Sequence, residues 1–236
     1  MQNRAVSFRC DDQEFTLEVY LPSVPARGTV LVCHAWGGQA ELEINRAKQL
    51  AEAGYIGIAH DVYGTAVRGG TAEQNEALMR PLINDRDALA RRLQAGLEAA
   101  AALPQVDADK MAAIGFCFGG LCVFDMARRN MRVKAVVSFH GIFSPLPVPS
   151  SAIAPKVLAL HGYDDPLASP EELVAFGNEM SAAGADWQIH AYGGTSHSFS
   201  NPAANSPEKG NVYFERSDVR ATRSMLDFLA DVFSEE

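Results

Sequence analysis

Cys117 stands in the run Gly115-Phe116-Cys117-Phe118-Gly119-Gly120, directly after the apolar stretch Met111 to Ile114. A buried strand that turns sharply into a helix at a central nucleophile needs glycines on both sides, because a Cβ there would strike neighbouring backbone. The spacing therefore predicts a nucleophile elbow with a thiol at its apex. At the N-terminus of the following helix a thiolate is favoured by the dipole and by free N–H groups. Such a thiol needs a base, and the base needs a carboxylate to orient it. Two later segments, each placed after an apolar run, offer both: His161-Gly162-Tyr163-Asp164-Asp165-Pro166 and Gly194-Thr195-Ser196-His197-Ser198-Phe199. The resulting order is nucleophile Cys117, acid Asp165, histidine His197. Asp164 competes for the orienting role, and the spacing Gly162-x-x-Asp165 favours Asp165.

A carbonyl attacked by Cys117 would develop an oxyanion, which calls for two aimed backbone N–H groups. Phe118, just after the nucleophile, supplies one. The other is expected from Trp36 or its neighbour in His34-Ala35-Trp36-Gly37-Gly38, where the first buried strand ends. His34 in that segment is a candidate for lining the pocket. The remaining histidines, His60, His140, His161 and His190, read as structural, hydrogen-bonded residues. Four cysteines without a C-x-x-C pair point to no zinc or redox motif, and neither a metal nor a cofactor is expected. Cys33 and Cys122 read as core residues, and Cys122, five positions past Cys117, lies off the nucleophile's side of the helix.

The elements that must hold these residues alternate along the chain. Phe15 to Tyr20 alternates as a half-solvated strand, while Thr29 to Cys33 and Val157 to Leu160 are continuous apolar runs of the kind covered on both faces. Shorter strands are expected at Ile56 to Ile58, Ala135 to Ser138 and Trp187 to His190. Helical patterns run from Leu42 to Ala53, from Ala72 to Ala102 with a break near Pro81, from Gly120 to Asn130, from Pro170 to Ala183 and from Asp218 to Phe233. This predicts an α/β fold: a mostly parallel central sheet, mixed at one edge, with helices on both faces. The irregular segment Gly193 to Ser217 contains His197, and a loop of that length is usually functional or mobile.

The chain has 236 residues, 47% of them apolar, enough for one large core, and residues 1–236 are expected to form one domain. A net charge of −9 without a basic run argues against nucleic acid or an anionic membrane as partner. No stretch reaches the length of a spanning helix, and Met1-Gln2-Asn3-Arg4 does not open a signal peptide. A cytoplasmic protein acting on a small molecule is expected, with monomer and homodimer both open.

The ordered set of motifs resembles the dienelactone hydrolase family of α/β-hydrolases, whose elbow is G-x-C-x-G-G. The resemblance runs through most of the chain, taking in His34 to Gly38, Ala53-Gly54-Tyr55, Asp61-Val62-Tyr63, Gly162-x-x-Asp165 and His197-Ser198-Phe199. It implies the α/β-hydrolase fold, with Cys117, Asp165 and His197 as triad and the Phe118 and Trp36 amides as oxyanion hole. Two positions depart from the family prototype. Ala35 stands where a glutamate beside the cysteine is expected, and Asn201 stands where an arginine clamps a substrate carboxylate. Arg68, Arg80 and Arg86 are the candidates to supply that clamp instead; Ala35, Arg86 and Asn201 join His34 as candidate pocket residues. The implied activity is hydrolysis of a small ester or lactone through a thioester acyl-enzyme. A thioesterase or acyltransferase with the same triad, and a non-catalytic scaffold, are the alternatives.

Overall fold

The computed structural model describes residues 2–148 and 150–234. Strands β1 (Gln2–Cys10) and β2 (Gln13–Leu21) form an antiparallel hairpin at one edge of an eight-stranded sheet. Strands β3 (Thr29–Cys33), β4 (Ile56–His60), β5 (Met111–Phe116), β6 (Ala135–Phe139), β7 (Lys156–Gly162) and β8 (Trp187–Tyr192) complete it. The order is β1-β2-β4-β3-β5-β6-β7-β8, parallel from β4 through β8, with β2 antiparallel to β4. The mixed edge and parallel interior agree with the pattern of apolar runs. β1 was not expected: its alternation is confined to Val6, Phe8 and Cys10, half-buried between exposed neighbours, and its first four residues are exposed.

Helices α1 (Glu41–Glu52) and α6 (Glu215–Ser234) cover one face of the sheet, where Ala47, Leu50, Met225 and Leu229 pack on Val30, Val32 and Ile114. Helices α2 (Ala72–Asn84), α3 (Arg86–Ala101), α4 (Phe118–Arg128) and α5 (Pro170–Ala182) cover the other, where Leu82, Leu93, Leu121 and Phe176 join Leu31 and Ala113. Successive residues of β3 and β5 thus enter opposite cores, as the strand period requires. The helix break falls at Asp85, not Pro81. Pro81 lies inside α2, its carbonyl accepts the Asp85 N–H at 2.9 Å, and the Asp85 side chain caps α3 by accepting the Ala88 N–H at 2.8 Å.

The chain leaves β3 toward β4 on one side and returns to β5 on the other. The carboxyl ends of β3 and β5 therefore flank the point where strand order reverses, and crevices in open parallel sheets form there. His34 and Cys117 follow those two strand ends. Among the described residues no helix is long and apolar enough to cross a membrane.

Candidate active site

Cys117 follows β5 with φ 54° and ψ −112°, a conformation that an L-residue adopts only under strain. Its N–H donates to the Phe139 carbonyl at 3.1 Å, and its own carbonyl accepts the Gly120 and Leu121 N–H groups at 2.9 and 3.3 Å, so the turn passes directly into α4. The glycines are there for clearance. A Cβ on Gly119 would lie 2.2 Å from the Cys33 carbonyl oxygen, which shows how tightly the first turn of α4 seats against the end of β3. The cysteine caps the positive end of that helix and is 7% exposed.

Asp165 and His197 meet at the ends of β7 and beyond β8. His197 Nδ1 lies 2.7 Å from Asp165 Oδ2, and Asp165 Oδ1 accepts the Leu167 N–H at 2.8 Å, so both carboxylate oxygens are occupied. Asp164, by contrast, is exposed. Close approach of the two loops depends on Gly162, where a Cβ would lie 2.5 Å from the Thr195 carbonyl oxygen. The segment carrying His197 is firmly tied: Val212 N–H donates to the His197 carbonyl at 3.1 Å, Phe214 N–H to that of Phe199 at 3.0 Å, and Thr195 and Ser217 share a hydroxyl hydrogen bond of 2.8 Å.

His197 is 2% exposed, and its Nε2 has no hydrogen-bond partner among the described residues. Burial works against a charge on the ring, but the electrostatic interaction with neighbouring Cys117 and then the Asp165 hydrogen bond outweigh it and raise His197 to about 10. The arrangement therefore favours a protonated ring at His197. The His140 ring packs edge-on against His197 at 5.0 Å and is held by Ser200 Oγ at 2.9 Å, a support that sequence reasoning assigned only as structural.

The Phe118 and Trp36 N–H groups donate to no acceptor among the described residues. They sit at equal offsets past paired residues of adjacent strands, Gly115 and Cys33. The Trp36 segment is braced by Glu43, which motif reading missed, and by Tyr63, which it quoted without a role. Glu43, buried, accepts the Ala35 and Ala40 N–H groups at 3.1 and 2.9 Å, and burial raises its pKa. Tyr63 donates its hydroxyl to the Trp36 carbonyl at 3.0 Å. Glu43 three residues after Ala40 is half of a capping box, a signal obscured because Ala40 offers no side-chain acceptor.

The other pocket candidates fare differently. His34 is fully buried with both ring nitrogens committed to backbone, so it lines no open pocket. Arg86 does not reach the elbow as a free cation: its Nε lies 2.6 Å from Asp125 Oδ2 in a buried ion pair. Arg68 binds Gln39 and Asp61, and Arg80 pairs with Glu76. Ala35 is half-buried beside Trp36. Asn201 accepts the Ala203 N–H at 3.0 Å and lines a cleft of about 490 Å³ with Ser200, Asn45 and Arg46.

Known proteins resemble this chain in sequence and in fold. Residues 17–233 match the dienelactone hydrolase family. An uncharacterised protein of Caenorhabditis elegans is 35% identical over 158 residues, 65% of this chain and 100% of that protein. A Synechocystis sp. protein provisionally named a carboxymethylenebutenolidase is 28% identical over 171 residues, 64% of this chain and 67% of that protein. A dienelactone hydrolase-like promiscuous phosphotriesterase from metagenomic libraries superposes with a TM-score of 0.93 at 31% identity, covering 98% of both chains. A dienelactone hydrolase from Anabaena variabilis shares the fold at 20% identity with a TM-score of 0.68, over 99% of this chain and 97% of that one. This chain belongs to the dienelactone hydrolase family and is a hydrolase of the α/β-hydrolase fold.

Proposed function

We propose that this protein hydrolyses an ester or lactone bond of a small molecule, with Cys117 as nucleophile and His197, oriented by Asp165, as acid and base. The Cys117 sulfur attacks the carbonyl carbon, and the carbonyl π electrons move to oxygen, where the Phe118 and Trp36 amides meet the charge. Collapse expels the alkoxide, which takes the proton from His197 Nε2 and leaves a thioester on Cys117. His197 then removes a proton from water, the hydroxide adds to the thioester, and the second collapse releases the acid and restores the thiolate beside the imidazolium.

The observation that carries this reading is the buried 2.7 Å contact between His197 Nδ1 and Asp165 Oδ2, with Nε2 unpaired and Cys117 favouring its protonation. Four free thiols among the described residues suit a reducing, cytoplasmic setting.

The test is a panel of aryl esters, lactones and acyl-CoA thioesters assayed with wild type and Cys117→Ala. A phosphotriester belongs in the panel because of the structural relative that turns such compounds over. Cys117-dependent turnover of an ester or lactone is expected. No Cys117-dependent turnover of any member would overturn the proposal, and diversion of product onto an added alcohol or thiol would make the enzyme an acyltransferase.

A further inference from the structure

His34 lies at the end of β3 with no exposed surface, yet neither of its ring nitrogens is idle. The Val62 N–H donates to Nε2 at 3.0 Å, which requires that nitrogen to be unprotonated and places the ring proton on Nδ1. Nδ1–H then donates to the Ala35 carbonyl oxygen at 2.7 Å. That oxygen belongs to the same peptide unit as the Trp36 N–H. No peptide bond among the described residues is cis, and a trans unit points its C=O and N–H in opposite directions, so holding one end aims the other.

We propose that His34 is a positioning residue for the oxyanion hole, fixing through the Ala35 carbonyl the direction of the Trp36 N–H. The inference rests on the reading of Cys117 as nucleophile. Its neighbours act in the same sense. Gly38 N–H also donates to the Ala35 carbonyl, at 3.1 Å, and Tyr63 restrains the following peptide through the Trp36 carbonyl. Tyr63 meets the His34 ring edge-on at 4.5 Å and stacks on Phe118 at 5.7 Å, tying the segment that carries one amide to the residue that carries the other. Burial lowers His34 to about pH 3, so the ring stays neutral and keeps one tautomer wherever the enzyme works.

Alkylation by iodoacetamide and acylation by an ester separate this role from a general one. Both consume the Cys117 thiolate, but displacement of iodide forms no oxyanion, whereas ester attack does. His34→Leu and His34→Asn have side chains of the same shape, and only asparagine can donate to the Ala35 carbonyl. Peptide-resolved labelling of Cys117 and pre-steady-state acylation by an aryl ester are measured in both. In His34→Leu, labelling is expected at the wild-type rate while acylation falls about ten- to a hundredfold, less than the loss of a whole oxyanion donor. In His34→Asn, acylation is expected within about threefold of wild type. Equal losses of labelling and acylation, or no loss of acylation in the leucine variant, would overturn the proposal. Should His34→Leu not fold, His34→Asn decides alone: a tenfold loss of acylation at unchanged labelling refutes it. Wild-type Cys117 that resists labelling at neutral pH would instead sink the nucleophile reading itself.

Discussion

Gly119→Ala sets local helix preference against tertiary clearance at the elbow. Gly119 is the second residue of α4, where alanine is the better helix former by about 1 kcal/mol. Its Cβ, however, would lie 2.2 Å from the Cys33 carbonyl oxygen, 2.6 Å from the Cys33 carbonyl carbon and 2.8 Å from the His34 carbonyl oxygen. All three are backbone atoms at the end of β3, so no side-chain rotation relieves the overlap. Ordinary contact begins near 3.4 Å, and the shortfall of about 1 Å must be met by moving α4 away from β3. Overpacking of this kind costs roughly 1–3 kcal/mol and more where backbone must shift. After the helix gain, a net loss of about 2 kcal/mol remains, or about 4–8 °C in melting temperature for a chain of this length. The same shift spreads the Phe118 and Trp36 amides, and an ångström of misplacement can cost about 10² in rate. Calorimetry gives the first quantity and acylation of Cys117 by an aryl ester the second. Gly193→Ala, where an added Cβ meets nothing within 4 Å, is the control and should change neither. A Gly119→Ala protein as stable as wild type and acylated at the same rate would refute the close seating of α4 on β3.

Asp165→Asn should keep the fold but lose about 10²–10⁴ in kcat, because an amide neither stabilises the imidazolium nor enforces the tautomer with Nε2 toward the reacting groups; a loss below tenfold would remove Asp165 from the mechanism. Cys117→Ala deletes the strongest influence favouring charge on His197, so imidazole ¹⁵N shifts should show the ring titrating closer to its ordinary value in the variant, but near 10 in wild type. A pKa raised from 6.5 to about 10 contributes stability that is complete below pH 6.5 and lost as pH rises through 10, so the wild-type advantage over Cys117→Ala should shrink across that window. An advantage constant across the window would contradict the pairing. Asp125→Ala leaves Arg86 and Arg128 without their shared buried carboxylate and should cost about 3–5 kcal/mol in denaturant titration, with Cys117 labelling unchanged in the folded protein. Reduced labelling would mean that this ion cluster reaches the elbow after all.

Where the chemistry resides was legible in the sequence because local rules dictate it. A glycine-bracketed cysteine after an apolar strand permits one backbone path, and continuous apolar runs separated by amphipathic helices permit one class of sheet. Polar or exposed elements left less to read. β1 alternates only over its last five residues, Val6 to Cys10, and the break between α2 and α3 was set by the cap at Asp85, which overrode Pro81. The Gly162-x-x-Asp165 spacing favoured Asp165 over Asp164, and the fold agrees, bringing Asp165 to His197, 32 residues on, while Asp164 stays exposed.

Most charge pairing was decided in three dimensions. Arg80 has a local partner, Glu76 four residues before it on α2, but nothing local shows that Arg68 and Arg86 are held by Asp61 and Asp125. The same holds for His34 and Glu43, whose hydrogen bonds converge on Ala35 from different elements. By itself the sequence determined the fold class and pointed to the proposed nucleophile and the order of its proposed helpers, because each is written in residues close along the chain. Which cations and which braces serve the site were decided by tertiary structure, because those depend on distances between segments that only folding brings together.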